Sequence, residues 1–149
     1  GSLQSFFSSM VSLNWLEIIV ITIGIFVIGN FWFGPIFGKT WMRIHHGSDR
    51  MSESEMKKAM KGMWKLMFTE FIATFIMVMT LEFLIQILPS YSGIHIALII
   101  WLCFILPMTA SNVIWGNDKK EWMCKKIAIA SSYRLVTLLA AGYILNIWQ

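Results

Sequence analysis

The chain has 149 residues, 57% of them hydrophobic and 13% charged, with a formal net charge of +4. That is about half the ~25% charge of a soluble domain, and the mean hydropathy of +0.67 excludes an ordinary water-soluble globule. The basic balance does not point to nucleic acid, because seven of the twelve Lys and Arg lie between Lys39 and Lys65, four lie between Lys119 and Lys126, and only Arg134 falls elsewhere.

Taken in chain order, residues 1–9 read as a tag, a leader or a flexible N-terminus. Gly1-Ser2 resembles an expression scar, and Met10 is a candidate native start. A single domain is expected over 10–149. Four apolar stretches follow, at about 13–33, 66–88, 94–115 and 127–148. At ~1.5 Å rise per residue, each helix would cross the ~30 Å hydrocarbon core. The expected fold is therefore all-α, a four-helix transmembrane bundle with a short amphipathic helix.

The first stretch is expected to lose its helix at Gly34-Pro35, since the residue before proline is pushed out of the α region. Ser52 and Glu55 stand at capping-box spacing and open an amphipathic helix near 52–65. Its methionine stripe, Met56, Met60, Met63 and Met67, could suit soft copper(I), but reads better as an adaptable apolar face. Pro89 to Gly93 is a tight turn, making spans two and three an antiparallel hairpin. Pro107 should kink the third span. Small residues in the fourth, among them Ala141 and Gly142, permit close helix approach.

The five-residue turn at 89–93 carries no Lys or Arg, while both longer loops are rich in them. This positive-inside pattern places the loops 38–65 and 116–126 in the cytoplasm and both termini outside. The expected location is a cell membrane, the bacterial inner membrane. The two cysteines show no CxxC spacing, so no disulfide is expected.

Ionisable groups within spans are costly and therefore informative. Depth along the helices sorts them into two layers. Towards the basic loops lie Asn30, Glu70, Asn112 and Arg134. Glu70 is five residues past Lys65 and Arg134 eight past Lys126, so their α-carbons differ in depth by only ~5 Å. An ion pair between them is expected, either to set helix register or to relay protons or ions. In the other layer lie Glu17, Glu82, Gln86 and His95. Two carboxylates and an imidazole could bind a metal or move a proton, but their spacing matches no ligand motif, and interfacial solvation of Glu17 and His95 is the simpler reading. Glu82 is expected to face the bundle interior. His45-His46 reads as a solvated pair. No catalytic residue, metal site or cofactor is expected, as no nucleophile, phosphate-loop or zinc-protease motif occurs.

The segment Phe31-Trp32-Phe33-Gly34-Pro35-Ile36-Phe37-Gly38-Lys39-Thr40-Trp41 resembles the hallmark box of a family of small four-helix integral membrane proteins classed only as a domain of unknown function, family 1761. Asn14-Trp15, Asn112-Val113-Ile114-Trp115 and Tyr133-Arg134-Leu135-Val136 are similar to that family's other conserved stretches. Phe33 stands where the family usually has tyrosine. The resemblance implies the fold and the membrane, and no activity. The box itself reads as an interfacial anchor and turn: Gly34, Pro35 and Gly38 shape the backbone, Trp32 and Trp41 sit at the headgroups, and Lys39 faces lipid phosphate.

These features lead to a best expectation of a small oligomeric transporter or channel-like protein. The alternative is a non-catalytic accessory protein that binds lipid or a partner membrane protein. The expected partners are the lipid bilayer and a homo-oligomer or partner membrane protein, without nucleic acid.

Overall fold

In the computed structural model, which describes residues 1–48 and 50–148 but not the side chains of 9–11, every regular element is helical. In chain order they are α1 (Ser2–Val11), α2 (Trp15–Phe31), α3 (Gly38–His46), α4 (Glu53–Met60), α5 (Met63–Ile87), α6 (Gly93–Ile100), α7 (Leu106–Ile114) and α8 (Lys120–Trp148). A π-helical turn at Trp32–Ile36 extends α2, and another at Trp101–Ile105 joins α6 to α7. Four helical stretches are long and apolar enough to span a membrane: Trp15–Ile36, Met63–Ile87, Gly93–Ile114 and Lys120–Trp148.

Both π turns sit at prolines. Proline lacks an N–H, and its ring clashes with the carbonyl four residues back. Around Pro35 the ladder widens, and the Phe37 N–H donates to the Trp32 carbonyl, five residues back, at 2.9 Å. The helix therefore does not stop at Gly34-Pro35 as the sequence suggests; it passes through to Ile36. In the third span the wider turn precedes Pro107, which falls in the first turn of α7, where a missing N–H is tolerated. An unpaired carbonyl in hydrocarbon would be expensive, so local rewinding is the cheaper solution.

α3 is an element the sequence reading missed. It ends at Gly47, whose φ of 81° no side-chain-bearing residue adopts readily, with the Gly47 N–H returning to the Arg43 carbonyl. α4 opens as expected, with Ser52 Oγ accepting from the Glu55 N–H at 3.3 Å. It is shorter than expected, however. Gly62, at φ 76°, separates it from α5, so the methionine stripe is divided between two helices.

Packing is unequal around the bundle. α2 lies along α5, and α6 along α8. The α6–α8 contact is closest at Gly93 and Gly142, where a Cβ on either would collide with the backbone of the other. Asn146 Oδ1 accepts the Gly93 N–H at 2.6 Å across the same contact. The core is formed by Ile18, Ile21 and Ile25 from α2, Val78, Leu81 and Ile85 from α5, Ile96 and Ala97 from α6, and Leu138, Ala141 and Leu145 from α8. The opposite helix faces expose Leu16, Ile23, Phe68, Ile72, Phe104, Met108 and Ile147, as suits a bundle solvated by acyl chains.

Gly93→Ala and Gly142→Ala should each lower stability by about 1–3 kcal/mol through overpacking. Gly24→Ala, where an added Cβ meets nothing within 4 Å, should be neutral or slightly stabilising. Thermal unfolding in mild detergent, followed by circular dichroism, distinguishes the two classes.

Candidate functional site

At the end of the bundle that carries the basic loops, α7 packs on α8, while α5 packs on α2, α6 and α8. α5 and α7 thus stand on either side of a cleft of about 410 Å³. Met67 and Glu70 of α5 form one wall, and Thr109 of α7 the other. Phe26, Gly29 and Asn30 of α2, Phe33 and Trp41 from the box, and Ala130, Tyr133 and Arg134 of α8 complete it.

Two indole donors fix α8 against its neighbours. Trp32 Nε1 donates to the Ile129 carbonyl at 3.1 Å, and Trp101 Nε1 to the Ser131 carbonyl at 2.7 Å. Trp32 is half-buried and ties the box to α8. Tyr133 follows on the same face of α8. Its hydroxyl points at the Ile25 carbonyl, 3.5 Å away, and rests against Gly29, where a Cβ would lie 2.9 Å from the hydroxyl oxygen. Phe33 packs its ring 5.2 Å from Tyr133 and 4.8 Å from Trp41. The box thus builds an aromatic wall, and the π turn is what aims Phe33 into it. Gly38 is needed for the same reason, since a Cβ there would sit 2.9 Å from the Phe33 carbonyl oxygen.

The polar part of the cleft is an ion pair. Arg134 Nη2 donates to Glu70 Oε1 at 2.8 Å, as the depth argument expects, and the guanidinium carbon lies 5.2 Å from the Tyr133 ring centroid. Near the rim, Lys126 binds both oxygens of Asp118, at 2.9 and 3.1 Å, with its ammonium 6.0 Å from the Trp41 ring.

The remaining sequence candidates separate clearly. Asn30 lines the cleft; Asn112 is exposed on α7 and does not. Gly34, Pro35 and Lys39 are exposed. In the other layer, Gln86 is exposed, and His95 is exposed with Nδ1 2.9 Å from Ser92 Oγ. Glu17 is not solvated, contrary to the simpler reading: it and Glu82 are each only 1% exposed. His46 Nε2 lies 2.7 Å from Glu55 Oε2, and the His45 ring lies 4.4 Å from that of Trp41, tilted by 47°. Among the described residues, no group of three or more His, Cys, Asp or Glu could hold a metal ion.

Sequence reasoning missed the cleft roles of Tyr133, Gly29, Met67 and Thr109. The one available signal was the adjacency of Tyr133 to Arg134. Nothing in the sequence placed Gly29 opposite it.

A family model described as Protein of unknown function (DUF1761) matches residues 16–146. No curated protein and no solved structure matches the chain.

Gly29→Ala should cost about 1–2 kcal/mol by displacing the Tyr133 hydroxyl. Adding Tyr133→Phe should recover most of that loss. A double-mutant cycle of detergent unfolding measures the coupling.

Proposed function

We propose, from the premise that this chain belongs to the DUF1761 family, that this multi-pass membrane protein binds an amphipathic molecule in the cleft between α5 and α7. The observation that carries this reading is a charged pair, Glu70 and Arg134, set in a mostly aromatic and apolar wall that also carries Asn30 and Thr109. The volume, about 410 Å³, falls in the range of small-molecule sites. It fits a polar head with a short apolar segment, and longer chains would leave between α5 and α7 into the bilayer.

The chemistry favours a zwitterionic head. Arg134 offers a planar fork to a phosphate or carboxylate. Glu70 accepts an ammonium, and the faces of Trp41 and Tyr133 stabilise the same cation. Binding would exchange one internal ion pair for two with the ligand, so the protein charges stay compensated in either state. A zwitterionic phospholipid of the surrounding leaflet has this chemistry.

A second reading, a small oligomeric transporter or channel, is supported by the buried Glu17 and Glu82 near the far end. Between them and the cleft the core is closed by Ile21, Ile25, Val78 and Leu81, so passage would need these helices to move. In both readings the functional unit is the four-span domain over 10–149, alone or as a homo-oligomer or with a partner membrane protein. The distribution of Lys and Arg supports an orientation with both basic loops in the cytoplasm and the termini outside; the membrane proposed is the bacterial inner membrane.

Purified protein titrated with short-chain phosphatidylethanolamine, followed by tryptophan fluorescence, tests the binding reading. Arg134→Ala and Glu70→Ala should each weaken binding at least about tenfold, or about 1.4 kcal/mol. Phosphatidylglycerol, which lacks the ammonium, should bind more weakly to the wild type and lose little on Glu70→Ala. Equal affinity for wild type and both variants would remove the cleft as the site.

A further inference from the structure

The second polar layer lies outside the cleft. α2 and α5 are antiparallel and packed along their length. They meet at Phe26 with Phe71 and at Trp15 with Phe75, and the Glu82 carboxyl lies at the start of α2, where Asn14 caps the turn that carries Glu17. Each is 1% exposed. Glu17 Oε1 and Glu82 Oε2 are both buried without a hydrogen-bond partner. Glu82 is close enough to feel the charge of Glu17, and the backbone N–H of Asn14 faces it.

The surroundings offer no compensating charge. The core beside the pair is Leu13, Ile18, Ile21, Val78, Leu81 and Ile85. α6 and α8 turn Ile96, Ala97, Ala141 and Leu145 towards it. The titratable groups at this end are the Gly1 amino group, Tyr91, His95 on α6 and Tyr143 on α8, all on the exposed surface. Glu70, with Arg134 paired to it, stands twelve residues from Glu82 along α5, ~18 Å in helix rise. Two buried carboxyls with no basic partner keep a negative charge only in company with a cation; otherwise each is neutralised by a proton.

We infer that Glu17 and Glu82 form a two-carboxylate site for one small monovalent cation, a proton or a sodium ion, bridging the unpartnered oxygens of the two side chains. Its chemistry is that of a coupling-ion site, and it holds whether or not the cleft binds lipid.

The test uses the full chain in detergent. Dicyclohexylcarbodiimide attacks neutral carboxyl groups in apolar surroundings, and mass spectrometry of the peptides locates the adduct. Modification at Glu17 or Glu82 should be rapid near pH 5 and fall at least about tenfold towards pH 10. If sodium chloride protects at constant pH where choline chloride does not, the ion is sodium; if pH alone governs the rate, it is the proton. Infrared difference spectra of the same titrations should show a neutral-carboxyl band that is lost on deprotonation, or on sodium binding if the ion is sodium, and is reduced in Glu17→Gln and Glu82→Gln. Modification that is equal across the pH range and indifferent to sodium, or that never occurs at either residue, would overturn the site. Wild-type labelling decides the matter even if a glutamine variant fails to fold.

Discussion

Every backbone N–H and C=O in this bundle must find its partner inside the protein, because hydrocarbon supplies none. The rest of the architecture follows from how the chain meets that demand at its prolines. Pro35 and Pro107 each interrupt a membrane-length helix, and each interruption is absorbed by one π-helical turn. The rewinding does more than repair hydrogen bonds. It rotates the residues after it relative to those before it, and at Trp32–Ile36 this turns Trp32 towards α8 and Phe33 towards Tyr133. The backbone irregularity and the aromatic wall of the cleft are the same feature.

The cleft arises from uneven packing. Gly93 and Gly142 let α6 and α8 touch backbone to backbone at one end, and the Asn146 hydrogen bond locks that contact. In membranes, small residues and polar bonds of this kind replace the hydrophobic effect as the glue between helices. Towards the other end α7 keeps contact with α8 while standing off from α5. The space so opened is lined by Glu70 and Arg134, which satisfy each other. Polarity in the cleft therefore costs little, whereas Glu17 Oε1 and Glu82 Oε2 have no such internal partner.

Some site features were readable in the sequence because they depend on depth alone. Glu70 and Arg134 lie at known distances from the basic loops, and helix rise converts those distances into a common height. The exposure of Lys39, at the start of the first basic loop, likewise follows from local sequence. Burial of Glu17 was not readable, since its place near a helix end is equally compatible with the interface. What decides it is the face of α2 on which it falls once α2 is rotated against α5. Asn112 fails for the matching reason: its depth is right, but its face of α7 points away from the cleft.

The sequence by itself determined the solvent, the number of crossings and the side on which the positive loops gather. Hydrophobic length and charge placement are additive along a chain and need no partner to be read. Only the tertiary structure decided which polar side chains converge, where the helices separate and which aromatic rings line the gap. Those outcomes depend on helix rotation, set by contacts such as Gly93 with Gly142 and Trp32 with the Ile129 carbonyl, between residues distant in sequence. The hydrophobic pattern of these spans runs around the whole helix surface, so it carries almost no record of which face turns inward.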